Sequence, residues 1–179
     1  MKKWTDKKWT PEILTGLVQW LEDAYPSEGC GLILENEQGR WRFHECENVA
    51  DRYHKVDPVT FPRTSREFYM IDPREFMRAE DRGEKVAVIV HSHPDVGDYF
   101  SPEDIAAALM PRSSEEEKLE PIYPGTDYLV VSVRKAKADG ASLFRFDDDN
   151  EKFVRVARLN EEELFGKVNG KEAQVETVA

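Results

Sequence analysis

The chain reads as a single α/β domain, and three observations carry that reading. Val86-Ala87-Val88-Ile89-Val90 is an uninterrupted apolar run, rich in β-branched residues and short enough for a strand covered on both faces. Tyr128-Leu129-Val130-Val131-Ser132-Val133-Arg134 is a second core strand. Before them Ile13, Leu14, Leu17, Val18, Leu21 and Ala24 recur at helical spacing, giving one apolar stripe to lay on a sheet. A length of 179 residues, with 40% hydrophobic and 34% charged side chains, suits one domain with a sizeable core and a tail. No internal repeat is present.

Taken in order, Thr10-Pro11-Glu12 opens the first helix by the rule of a capping side chain followed by proline, and Pro26 stops it after Tyr25. Cys30 to Leu34 is a strand that turns at Asn36-Glu37-Gln38-Gly39 into the alternating run Arg40 to Cys46, a half-buried hairpin. From Asn48 to Arg66 periodicity lapses around Pro58 and Pro62, so a long loop is expected there, then a short strand near Glu67 to Ile71. Asp72-Pro73 starts a second helix that ends near Gly83. Ser101 caps a third, with Pro102 at its first position and Ile105 to Leu109 carrying it on. The prolines and acidic residues of 111–125 mark an exposed insertion. Ser142 to Phe146 and Phe153 to Val156 form an antiparallel pair across the acidic turn Asp147 to Glu151. Residues 10–158 make the domain, and 159–179 an acidic tail, read as a short helix followed by disorder.

Chemistry concentrates where the apolar run at 86–90 meets His91-Ser92-His93. Residues two apart on a strand share a face, so a strand continuing through His93 aims both imidazoles to one side of the sheet end. Catalytic zinc usually keeps three protein ligands and a water. Asp104, in the first turn of the third helix and brought back by the seven-residue loop Pro94 to Phe100, is the candidate third ligand. Asp95 and Asp98 are rival oxygen donors in that loop, and Ser101 with Asp104 also fits a plain capping box. His44, within a strand pattern, and His54, within a loop, are read as ordinary polar residues. Cys30 reads as a small packed residue, and with Cys46 the only other cysteine and no C-x-x-C, no disulfide is expected.

His91-x-His93, seven residues, then Ser101-x-x-Asp104 resembles the signature of the JAMM (MPN-plus) zinc metalloproteases, in the prokaryotic JAB-domain branch. Pro26-Ser27-Glu28-Gly29-Cys30-Gly31-Leu32 is similar to the family's upstream glutamate element. The resemblance implies a single MPN domain: a curved, mixed sheet flanked by helices, similar to the cytidine-deaminase fold. It implies one Zn2+ held by His91, His93 and Asp104, Glu28 as general base and acid, and Ser101 helping to stabilise the oxyanion. It also implies a substrate class, the peptide or isopeptide bond after the C-terminal Gly-Gly of a ubiquitin-like or β-grasp sulfur-carrier protein. Tyr99, Phe100 and the loop before Arg66 are expected to shape the Gly-Gly channel, with Arg63 and Arg66 placed to receive a carboxylate.

Composition narrows the partners. A formal net charge of -11 repels a phosphate backbone, so nucleic acid is excluded in favour of a basic or neutral extended partner. The basic N-terminus lacks a following apolar segment and no run approaches a membrane span, so a cytoplasmic location is expected. Two other readings stand beside the peptidase: a non-catalytic scaffold of the same fold, and a hydrolase of small amides. A deaminase is disfavoured by the missing Cys-x-x-Cys pair.

Overall fold

The computed structural model describes residues 8–115 and 117–160. Its elements run α1 (Pro11–Ala24), β1 (Cys30–Glu35), β2 (Trp41–Cys46), α2 (Ala50–Val56), α3 (Pro73–Asp81), β3 (Lys85–Pro94), α4 (Pro102–Ala108), β4 (Asp127–Arg134), β5 (Lys137–Asp147) and β6 (Lys152–Asn160). The strands form one six-stranded sheet in the order β2-β1-β3-β4-β5-β6. Among the described residues only β3 and β4 pair in parallel. The architecture is thus the mixed sheet flanked by helices that the resemblance implied.

The parallel pair positions everything else. Parallel neighbours cannot be joined by a tight hairpin, so the chain must leave β3, cross over and return to β4. Its crossover carries α4, which starts just beyond the carboxyl end of β3. Strand periodicity then assigns faces. Val88 and Val90 join Leu14, Leu17 and Leu21 of α1 in one core, whereas Ile89 joins Leu32, Tyr128 and Val130 in a second core under α3 and α4. Covering on both faces is why this strand reads as a continuous apolar run.

Three expectations need correcting. Residues 48–66 are not all loop, because α2 lies within them. Its cap, Val49, makes no side-chain hydrogen bond and only Ala50 is buried, so neither a capping signal nor a stripe announces it. The strand expected near Glu67 to Ile71 reduces to a single bridge between Asn48 and Ile71. There the Asn48 side chain takes the Phe68 carbonyl and the Met70 N–H at 3.0 and 3.1 Å, doing the work of a ladder. Finally, β5 starts at Lys137 rather than Ser142, following a turn in which Lys135 and Ala136 have φ of 49° and 61°. Two successive left-handed residues define a tight hairpin, usually written with Asn-Gly, and Lys-Ala conceals it.

The 111–125 segment is largely exposed among its described residues, yet anchored at both ends: Met110 N–H donates to Glu120, Ile122 N–H to Ala108, and Tyr123 stacks on Phe76 at 4.6 Å. Of the expected acidic tail, 161–179 lies outside the described residues; β6 itself runs to Asn160. No helix among the described residues is long and apolar enough to cross a membrane.

Candidate metal centre

β3 carries through to Pro94, so His91 and His93 project from the same face as Ile89, and both are buried. Ser92 points the other way, where its hydroxyl accepts the Gly29 N–H at 2.9 Å while its own N–H donates to the Gly29 carbonyl. That exchange ties the strand carrying both histidines to the turn carrying Glu28. Tyr69, which the sequence reading passed over, stacks on His91 with ring centroids 4.2 Å apart and fixes that imidazole's plane.

Asp104 arrives from the first turn of α4. The Ser101 hydroxyl accepts the Asp104 N–H at 3.0 Å, and the Asp104 carboxylate accepts the Ser101 N–H at 2.8 Å, a full capping box. The Ser101 O–H also donates to Asp104 Oδ2 at 2.6 Å. Capping and orientation of Asp104 are therefore one device.

The three side chains converge tightly. His91 Nε2 and His93 Nε2 are 3.1 Å apart, and each lies 3.3 Å from a different oxygen of Asp104. Ligand atoms bonded at about 2.0–2.1 Å to a tetrahedral metal lie roughly 3.3 Å from one another, and these separations are of that size, the two from Asp104 running to different oxygens. His93 Nδ1 meets the Gly97 carbonyl at 3.1 Å, which requires the proton on Nδ1 and leaves the Nε2 lone pair facing the cluster. Burial lowers the pKa of His91, favouring neutral imidazole. Burial also opposes charge on Asp104, but His91, His93 and Ser101 outweigh it and keep the group ionised. Burial opposes charge on His93, but its hydrogen bond to Asp104 and the charges of Glu28 and Asp104 raise its pKa; once a metal displaces that proton, two neutral imidazoles and a carboxylate are a donor set that fits a divalent transition metal.

Glu28 stands beside this cluster without joining it. Its backbone is gripped on both sides, with its N–H donating to the Ser65 carbonyl and its carbonyl accepting from Asn48 Nδ2. Ser65 is fixed in turn by Asp51 through its N–H and its hydroxyl, both at 2.7 Å. The carboxyl is buried and Oε2 has no hydrogen-bond partner among the described residues. Burial raises its pKa to about 8, with the nearby charge of His93 pulling it down and that of Asp104 pushing it up.

A family model described as prokaryotic homologs of the JAB domain matches residues 10–146. The chain belongs to this JAB-domain family. Its members include metal-dependent hydrolases and also non-catalytic proteins. Among solved structures, a Salinibacter ruber protein is 26% identical with a TM-score of 0.51, covering 82% of this chain and 86% of its own. A Desulfitobacterium hafniense protein is 21% identical with a TM-score of 0.52 over the same shares, a likeness of fold alone. No curated protein matches the sequence.

Within this JAB domain the other candidate residues are distributed as follows. Asp95 and Asp98, the rival ligands, are engaged elsewhere: Asp95 accepts from the Tyr25 hydroxyl and the Lys135 N–H, and Asp98 from Ser142 and Arg158. Tyr99 is half exposed, its ring 5.2 Å from that of His93. Phe100 is buried among Tyr128, Phe144 and Phe153, where its ring fills the second core 6.4 Å from that of His91. Arg63 pairs with Glu103 at 2.8 Å and acts electrostatically on Glu28, whereas Arg66 is exposed and lies within electrostatic reach of Tyr25 and Asp51. His44 pairs with Glu75 and His54 with the Phe61 carbonyl, both outside the cluster. Cys30 and Cys46 are free and buried, and burial raises both thiols, Cys46 to about 12, which disfavours the thiolate. Asn48, Ser65 and Tyr69 were missed because their contacts follow no periodic signal.

Proposed function

We propose that the protein is a zinc-dependent metallopeptidase that hydrolyses the amide bond after the C-terminal Gly-Gly of a ubiquitin-like or β-grasp sulfur-carrier protein. The observation that carries this reading is a buried His91, His93 and Asp104 cluster beside a buried Glu28 carboxyl, one oxygen of which has no partner among the described residues. Such a pairing separates metal ligation from proton transfer, as amide hydrolysis by water requires.

His91, His93 and Asp104 would hold the ion. Zinc bound there supplies Lewis acidity, lowering the pKa of a water to about 7 and polarising the scissile carbonyl. Glu28 takes the proton of the attacking water and returns it to the leaving amine. Burial raises its pKa in the metal-free protein, and a divalent cation held beside it would favour the carboxylate form that this step needs. Ser101 stabilises the oxyanion after its hydroxyl turns from Asp104 towards the substrate, and otherwise holds Asp104 in place.

An extended tail suits the surroundings. Half-exposed Tyr99 flanks His93, and a pocket of about 310 Å³ abuts the helix of Asp104, lined by Phe61, Pro62, Arg63, Phe68 and Ala106. Arg63 lines this pocket, paired there with Glu103, and is the residue proposed to receive a substrate carboxylate, with the exposed Arg66 as a second candidate. The test is intact-mass analysis of sulfur carriers extended beyond Gly-Gly, incubated with zinc-loaded protein. Cleavage after Gly-Gly, abolished by chelator, supports the reading. Zinc bound without cleavage across the carriers of the source organism would point to a scaffold, and turnover of small amides alone would point to a small-molecule hydrolase.

A further inference from the structure

His93 owes its orientation to the Gly97 carbonyl, and Gly97 lies in a loop clamped to the sheet at each flanking residue. On one side the Val96 carbonyl accepts from Ser132 Oγ of β4 at 2.7 Å. On the other, the buried Asp98 carboxylate accepts from Ser142 Oγ of β5 at 2.6 Å and from Arg158 of β6 at 3.0 and 3.2 Å. Loop, donor and histidine thus form one chain of contacts running from β6 to the cluster. Arg158 lies beyond the residues that match the family model, which end at 146.

We propose that Asp98 is a positioning residue for His93, and that Arg158 makes metal affinity depend on β6. With the Gly97 carbonyl held, the proton of His93 stays on Nδ1 and the Nε2 lone pair stays aimed at the cluster. Releasing Asp98 lets the loop move and the imidazole rotate or change tautomer. Outer hydrogen-bond partners of metal-binding histidines commonly contribute roughly 10–100-fold to metal affinity.

This inference rests on the reading of His91, His93 and Asp104 as metal ligands, so its test has one arm with metal and one without. In the first, zinc Kd is measured on the full chain by competition with a chromophoric chelator for Asp98→Asn, Arg158→Met and Arg158→Lys. Arg145→Met serves as control, because Arg145 pairs with Asp127 at 2.7 Å at the opposite end of β4. In the second, the imidazole nitrogen shifts of His93 are recorded by NMR on the metal-free chain. The proposal expects Asp98→Asn and Arg158→Met to weaken zinc binding roughly 10–100-fold and to shift the His93 tautomer signal. Arg158→Lys recovers most of the affinity, and Arg145→Met lowers Tm without moving Kd. Should Asp98→Asn fail to fold, half-exposed Arg158 decides through its own variants. An unchanged His93 signal overturns the proposal whatever the affinity does, as does a Kd loss equal to that of Arg145→Met. If the parent binds no zinc, the metal reading fails, while the metal-free NMR arm still decides the role of Asp98.

Discussion

At Glu28, burial and chemistry pull in opposite directions. A carboxyl whose pKa is raised to about 8 in the folded chain and is near 4.5 when unfolded binds more protons folded than unfolded between those values. Its contribution to the stability of the metal-free protein is therefore most favourable below about pH 4.5 and is lost as pH rises towards 8. Glu28→Gln removes that dependence. Chemical denaturation of the metal-free pair should show the variant gaining on the parent with pH, by up to about 1.4 kcal/mol per unit between pH 5 and 8. A difference that stays flat with pH would show that the carboxyl is solvated in the folded state. In the zinc-loaded protein the same substitution should lower kcat about 10²–10⁴-fold, measured on an extended carrier. A residue that costs stability while supplying a proton acceptor is the pattern expected of a functional group.

At the level of elements, α4 joins stability to ligation. It has only seven residues, and Ser101 both caps it and bonds the Asp104 carboxylate. Ser101→Ala should therefore cost about 0.5–2 kcal/mol by urea denaturation and weaken zinc binding as well, whereas Ser101→Thr, which keeps the hydroxyl, should lose much less. A stability loss with unchanged zinc affinity would separate the two roles. Helix α1 makes the contrast, since Leu14 is fully buried against the opposite face of the sheet. Leu14→Ala should cost about 2–5 kcal/mol in denaturation while leaving the zinc Kd of the folded fraction unchanged. What the sequence disclosed follows the same division. α1, β3, α4 and β4 were legible because each is written in a repeating signal: a 3.6-residue stripe, a β-branched run or a cap followed by proline. By contrast, α2 and the Lys135-Ala136 turn rest on backbone geometry that their residue types do not favour. The cluster was legible because His91 and His93 fall at strand period and Asp104 at a helix start. Glu28 was legible only through family resemblance, for a buried glutamate in a turn leaves no pattern.

For the molecule as a whole, the parallel crossover between β3 and β4 brings a strand end, a helix start and the Glu28 turn to one place. The two cores on either side of the sheet hold that junction rigid, so metal should stabilise the entire fold rather than a loop. Free zinc at about 100 times its Kd should add about 2.7 kcal/mol to the unfolding free energy, read as a higher Tm, and chelator should reverse it. The most direct test of the central claim, that three residues hold the metal and Glu28 stands outside them, is zinc stoichiometry by mass spectrometry after equilibrium dialysis. The parent and Glu28→Gln should each retain about one zinc per chain, and folded His93→Ala should retain none under the same conditions. Full zinc in His93→Ala, or its loss in Glu28→Gln, would contradict the account.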